Sequence, residues 1–288
     1  MTISGNTPVR PRVTIIAELG ANATSLCIAR KMVRAAAACG ADAVKVQAYT
    51  ADQMTIRSGQ PEYLITKGLW AGTSLYDLYE RAATPLDWLL DLRALAGELG
   101  LQFIVSVFHP DMIEPMEALR PDAYKVASFE INYKDLWMEL AFYGRPVIVS
   151  TGTAAENELD AIVDYYQNKE ALTLLKCTSQ YPAPLAAMNL ATIPALHARY
   201  HVPVGLSDHT TGIICPVMAV ALGATMIEKH FKIDEKGFDA AFSLDPRQFM
   251  AMTMAVREAE QALGQVNFEP TTTQYKRKQV DGRMIRTV

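Results

Sequence analysis

The sequence predicts a single-domain α/β fold, a (β/α)8 barrel. Eight short runs rich in Val and Ile recur along the 288 residues. They are nearly continuous in apolar character, as parallel strands covered on both faces are. Each is followed by helical sequence, so the two patterns alternate along the chain.

The predicted strands cover residues 13–19, 43–48, 102–108, 123–129, 146–151, 172–178, 204–209 and 225–231. Between them, residues 28–39 form an Ala-rich helix with a Lys/Arg face. Residues 85–99 start at Thr84-Pro85 and stop at Gly100, as helices do. Residues 154–168 carry acidic side chains near their start, which suits the helix dipole. Residues 246–263 follow the capping candidates Ser243 and Asp245 and end at Gly264. Residues 52–79 are a long insertion after the second strand, holding Tyr63, Trp70, Tyr76 and Tyr79. Packing is the expected role of those rings, with a lid or an interface as alternatives. Residues 1–268 are read as the barrel domain and 269–288 as a polar, basic tail.

Half of the residues are hydrophobic, which supports a large core, and the net charge is -4. Mild acidity without a basic stripe excludes nucleic acid as the main partner. No apolar stretch is long enough to span a bilayer. The N-terminal MTISGNTPVRPR has no apolar segment of the signal-peptide kind. Cys27, Cys39, Cys177 and Cys215 lack paired spacing, which suits a reducing compartment, expected to be the cytoplasm. Cys177, beside polar strand-end residues, is a nucleophile candidate, though no histidine neighbours it in sequence.

The polar residues gather at the carboxyl ends of the strands, where barrel active sites lie. They are Glu18, Lys45 and Gln47, Ser106, Lys125 and Ser128, Ser150, then Ser179 and Tyr181, Ser207 and His209, and Glu228 and His230. Residues two apart on a strand share a face. Lys45 therefore points with Gln47, Ser207 with His209, and Glu228 with His230. Two neutral imidazoles from adjacent strand ends, with Asp208 and Glu228 close by, suit one divalent cation. Inward lysines are costly unless they meet an anion. Lys45 and Lys125 with Ser106, Ser128, Ser150 and Ser207 form a cradle for a doubly charged oxyanion such as a phosphate. Glu18 is either a base or a carboxylate that orients another group. Gln47 and Tyr181 read as substrate-positioning groups.

The segments IIAELGAN, GADAVKVQAYTAD, YKVASFEI, GRPVIVSTGTA, LLKCTSQYPAP, VPVGLSDHTTGI and ALGATMIEKHFKID closely resemble the sialic acid synthase family. With LYDLYERAATP and DAAFSLDP, they look most like its pseudaminic acid synthase branch. The resemblance runs from about residue 13 to residue 263. It implies a TIM barrel that condenses phosphoenolpyruvate with the aldehyde of an open-chain amino sugar, giving a nine-carbon 2-keto acid and phosphate. It implies manganese or magnesium held by His209 and His230. It implies a phosphoenolpyruvate site at Lys45, Ser106, Lys125, Ser128, Ser150, Ser179 and Ser207. Glu18, Gln47, Tyr181, Glu228 and Asp239 match residues that meet the sugar, the metal-bound oxygen or an attacking water.

The sequence departs from that family in three places. Asn22-Ala23-Thr24-Ser25 replaces an N-H-N-G loop that shapes the sugar end. Ser106-Val107-Phe108-His109 replaces a Ser/Thr-Pro-Phe-Asp pattern. The family's C-terminal antifreeze-like domain would follow Val288, where the chain stops. An active synthase is the expected reading, as a homodimer or with a separate capping chain. A non-catalytic paralogue and a metal-dependent aldolase of a phospho-substrate are the alternatives.

Overall fold

A computed structural model describes residues 12–166, 168–268, 279–280 and 283–284. Eight parallel strands close into a barrel in chain order, β1 pairing with both β2 and β8. They are β1 Thr14–Glu18, β2 Ala43–Ala48, β3 Gln102–Val107, β4 Ala123–Val126, β5 Val147–Ser150, β6 Leu172–Cys177, β7 Val204–Asp208 and β8 Met226–His230. All eight predicted strands are present. Residues 127–129 leave β4 early, because Ser128–Glu130 turn into a short 3-10 helix.

Ten α-helices accompany the strands among the described residues: α1 Leu26–Ala38, α2 Ala51–Met54, α3 Leu75–Ala82, α4 Trp88–Glu98, α5 Ile113–Glu117, α6 Lys134–Tyr143, α7 Glu156–Tyr165, α8 Thr192–Tyr200, α9 Ile214–Ala221 and α10 Pro246–Leu263. Ser25 caps α1 by accepting the Ile28 N–H at 3.3 Å. Asp245 and Gln248 cap α10 reciprocally: each side chain accepts the other's N–H, at 2.9 and 3.0 Å. The α7 helix begins and ends inside the predicted 154–168 run. No helix among the described residues is long and apolar enough to cross a membrane.

The outward faces of the strands and the inner faces of the helices share one continuous core. The barrel interior is separate. Its floor is Ile16, Ala43, Ile104, Ala123, Ile148 and Leu175, with Met226 packed against them. Two residues further along each strand, on the same face, stand Glu18, Lys45, Ser106, Lys125, Ser150, Cys177 and Glu228. The period of two thus converts an apolar plug into a buried polar tier within one step. The tail expected at 269–288 lies outside the described residues, apart from an antiparallel pairing of Gln279–Val280 with Arg283–Met284.

Candidate active site

A cavity of about 620 Å³ opens above that polar tier. Of the predicted site residues, all but Glu18 and Ser179 line it. Glu18 lies just beneath, fully buried. A cavity of about 860 Å³ lies at the opposite end, between α8, α9 and α10. None of its ionisable side chains is buried, so the costly charges mark the upper cavity as the site.

The two lysines differ in partnership. Lys45 Nζ lies 2.9 Å from Glu18 Oε2 and 3.7 Å from Glu228 Oε1, and donates to Ser106 Oγ at 3.0 Å. Burial works against its charge, yet Glu18 and Glu228 outweigh that and raise its pKa. Lys125 Nζ donates to Ser150 Oγ at 2.7 Å and to the Val126 carbonyl at 2.9 Å, with no carboxylate of the described residues within ion-pair distance. Burial lowers its pKa against the pull of Glu228, with Lys45 adding repulsion. The cradle read from sequence is therefore one neutralised lysine and one that awaits an anion.

Gly152, two residues past Ser150, shapes the flank of that cradle. Its N–H donates to Ser128 Oγ at 3.0 Å. A Cβ there would overlap the Ser179 hydroxyl and come within 2.9 Å of Ser128 Oγ. Only a glycine lets the two serines converge.

The histidines occupy the opposite wall, ring centroids 5.4 Å apart. His209 Nδ1 is held by the Thr178 carbonyl at 3.0 Å. His230 Nδ1 lies 3.3 Å from Asp239 Oδ2. His209 Nδ1 is thus tied to the backbone, while His230 Nδ1 faces Asp239 without a hydrogen bond, a pair of imidazoles that suits a cation. Glu228, its Oε1 accepting from Ser207 Oγ at 3.0 Å, leaves Oε2 without a partner. Burial opposes the Glu228 charge, but Lys45, Lys125 and His230 pull its pKa down to about 2. Among the described residues, no three His, Cys, Asp or Glu side chains converge as a closed metal cage. The pair fits a cation that keeps positions open for water and substrate. Asp208, a candidate ligand by sequence, is excluded: it faces out of the barrel and pairs with Lys229 at 2.6 Å.

Glu18 is gripped from two sides, by Gln47 Nε2 at 2.7 Å and by Lys45. Tyr181 stacks obliquely on His209, centroids 4.3 Å apart, and burial holds its phenol protonated. The altered first loop is stitched to the Asp239 segment. Asn22 Nδ2 donates to Phe231 O and Ser243 Oγ, at 3.0 and 2.8 Å, and the Ala21 N–H donates to Asp239 Oδ2 at 2.9 Å. Of the altered third-strand residues, Phe108 lines the cavity, while His109 caps a short helix by accepting the Asp111 N–H.

Two features left open by the sequence, the insertion and Cys177, gain a definite place, and a third, Glu130, is new. The insertion is no mere packing element: Ile65, Lys67, Trp70, Leu75, Leu78 and Tyr79 wall the outer half of the cavity. Glu130 lines it too, its Oε2 unpartnered and its pKa raised to about 7 by burial, against the pull of Lys125. Its position two residues after Ser128 was the available signal. Cys177 Sγ lies 3.9 Å from His209 Nδ1, although 32 residues separate them. Burial raises that thiol, but His209 and Lys125 bring it to about 7.

Fold and cavity together define a (β/α)8-barrel enzyme whose buried polar groups gather at the carboxyl ends of its strands. The chain belongs to the NeuB family, whose sequence profile matches residues 32–268. It is 45% identical over 265 residues to the pseudaminic acid synthase of Campylobacter jejuni, covering 90% of this chain and 77% of that protein. It is 40% identical to the Helicobacter pylori pseudaminic acid synthase, covering 87% and 75%. The crystal structure of N-acetylneuraminic acid synthetase from Leptospira borgpetersenii superposes with a TM-score of 0.82 at 29% identity, over 96% of this chain and 93% of that one.

Proposed function

We propose that this protein joins phosphoenolpyruvate to the aldehyde of an open-chain amino sugar, releasing phosphate and a nine-carbon 2-keto-3-deoxy acid. The observation that carries the proposal is Lys125, a buried ammonium that donates to Ser150, shares the cavity with Ser128 and, among the described residues, has no carboxylate within ion-pair distance. A phosphate there would supply the missing counter-charge. Lys45, Ser106 and Ser207 complete the phosphoenolpyruvate site. The relatives in the 40–45% identity range are pseudaminic acid synthases, so a product of that type is the one we favour.

In the reaction, C3 of phosphoenolpyruvate bonds to the aldehyde carbon, whose oxygen gains a proton. Water adds at C2. The C2–O bond to phosphate then breaks as the keto group forms. Glu18, aimed by Gln47 and Lys45, takes the proton from that water. Tyr181 and Glu130 donate to acceptor hydroxyl or amide oxygens. Asp239 holds the His230 ring, and Glu228 keeps the floor neutral between the lysines. His209 and His230 would hold manganese or magnesium, which when bound would supply Lewis-acid polarisation of the aldehyde. We take residues 1–268 as one catalytic domain and 269–288 as a tail. Among the described residues all four cysteines are free, which suits the cytoplasm.

Phosphate release from phosphoenolpyruvate, measured with a panel of acetamido-aldoses and either metal, tests this. Metal-dependent release, with a 2-keto acid found by mass spectrometry, is expected. No release with any aldose under either metal refutes it.

A further inference from the structure

A buried lysine beside the two histidine-bearing strand ends points out of the barrel interior. Lys229 lies on β8 between Glu228 and His230, so its side chain points away from the barrel interior. It is fully buried, as is Asp208, its ladder partner at the end of β7. Its ammonium donates to Asp208 Oδ2 at 2.6 Å and to the Thr210 carbonyl. Asp208 precedes His209 and Thr210 follows it. Asp208 also accepts from the Thr210 N–H at 2.9 Å and the Thr210 hydroxyl at 3.1 Å. One buried cation therefore brackets His209 on both sides, from a backbone whose next residue is His230.

A charged pair buried on the outer face is a poor way to gain stability. Its desolvation cost offsets the attraction, and apolar residues of similar volume often serve as well. What such a pair supplies is fixed geometry. Each strand end alone can shift by tenths of an ångström, and two imidazoles on separate strands would then lose their common focus. We propose that Lys229, through Asp208 and the Thr210 carbonyl, is a positioning residue that clamps the ends of β7 and β8. It thereby holds His209 and His230 at the spacing a divalent cation requires. This rests on the assignment of those histidines as metal ligands.

The test titrates manganese alone into the 288-residue chain, reading free ion by electron paramagnetic resonance. Parent, Lys229→Met and the double variant Asp208→Asn/Lys229→Met are compared. The double variant removes both charges, so it leaves no orphaned buried carboxylate if the single variant does not fold. Circular dichroism checks the fold, and calorimetry measures phosphoenolpyruvate affinity without metal. Outer-shell partners of metal ligands are worth about 10- to 100-fold in affinity. A manganese Kd raised by that factor, with metal-free phosphoenolpyruvate affinity within about twofold of parent, is expected. A lowered melting temperature with unchanged manganese affinity marks a merely structural pair and overturns the clamp. So does a parallel fall in phosphoenolpyruvate affinity. If the parent itself binds no manganese, the metal assignment fails first and the clamp with it.

Discussion

Gly152→Ala is the sharpest perturbation of the anion cradle, because it adds one carbon and removes no polar group. The new Cβ overlaps the Ser179 hydroxyl and crowds Ser128 Oγ, so at least one serine must turn away. A hydrogen bond to a charged group contributes about 1.5–3 kcal/mol. Losing one weakens phosphoenolpyruvate binding about 10- to 150-fold, since tenfold is about 1.4 kcal/mol. Calorimetric titration of metal-free protein measures it directly, with KM as a second reading. Ser179→Ala empties the space the methyl needs. The double variant Gly152→Ala/Ser179→Ala is therefore expected to lose less relative to Ser179→Ala than Gly152→Ala loses relative to parent, the 2.9 Å contact with Ser128 Oγ being the part that remains. A folded Gly152→Ala protein that binds phosphoenolpyruvate within about twofold of parent would refute the placement of the anion. Additive losses in the double variant would refute the steric reasoning.

Lys125→Met is expected to abolish measurable phosphoenolpyruvate binding while the free protein's stability changes little, because the burial cost removed is offset by the lost attraction to Glu228. Chemical denaturation and calorimetry give the two numbers. Glu130 has a pKa of about 7 in the fold, above its ordinary carboxylate value. Between those values the folded state binds more protons than the unfolded one, so its contribution falls as pH rises from about 4.5 to 7 and is then flat. Glu130→Gln should remove that slope, on the order of 3 kcal/mol, in denaturation at pH 5 and pH 8. In metal-free protein Cys177 should react with iodoacetamide with a midpoint near pH 7, as its pKa of about 7 requires, and phosphoenolpyruvate should protect it. Reaction at the same rate with the ligand bound would place the anion elsewhere.

The barrel was legible because its pattern is local. Apolar runs of strand length alternate with helical ones, and Gly100 and Gly264 mark helix ends in sequence as in structure. The site was legible for the same reason. Counting in twos from Ile16, Ala43, Ile104 and Ile148 reaches Glu18, Lys45, Ser106 and Ser150. What stayed hidden depends on contacts across the chain. Sequence pairs Lys45 with Lys125 as equals, yet Glu18 and Glu228 have already neutralised one of them. Asp208 beside His209 looks like a ligand until alternation and Lys229 turn it outward. Cys177 acquires a histidine neighbour only when β6 lies beside β7. The insertion at 52–79 carries no period that shows which face meets the cavity, so its role as a wall was unreadable.

The apolar floor from Ile16 to Leu175 makes the barrel a vessel with one opening. The phosphate cradle rests nearest that floor, and the insertion walls the space above it. Traffic is then fixed by depth. Under the proposed function, phosphoenolpyruvate would enter before the sugar, and phosphate would leave only after the long acid has cleared the mouth. Steady-state kinetics should accordingly be ordered, with phosphate competing against phosphoenolpyruvate and not against the sugar.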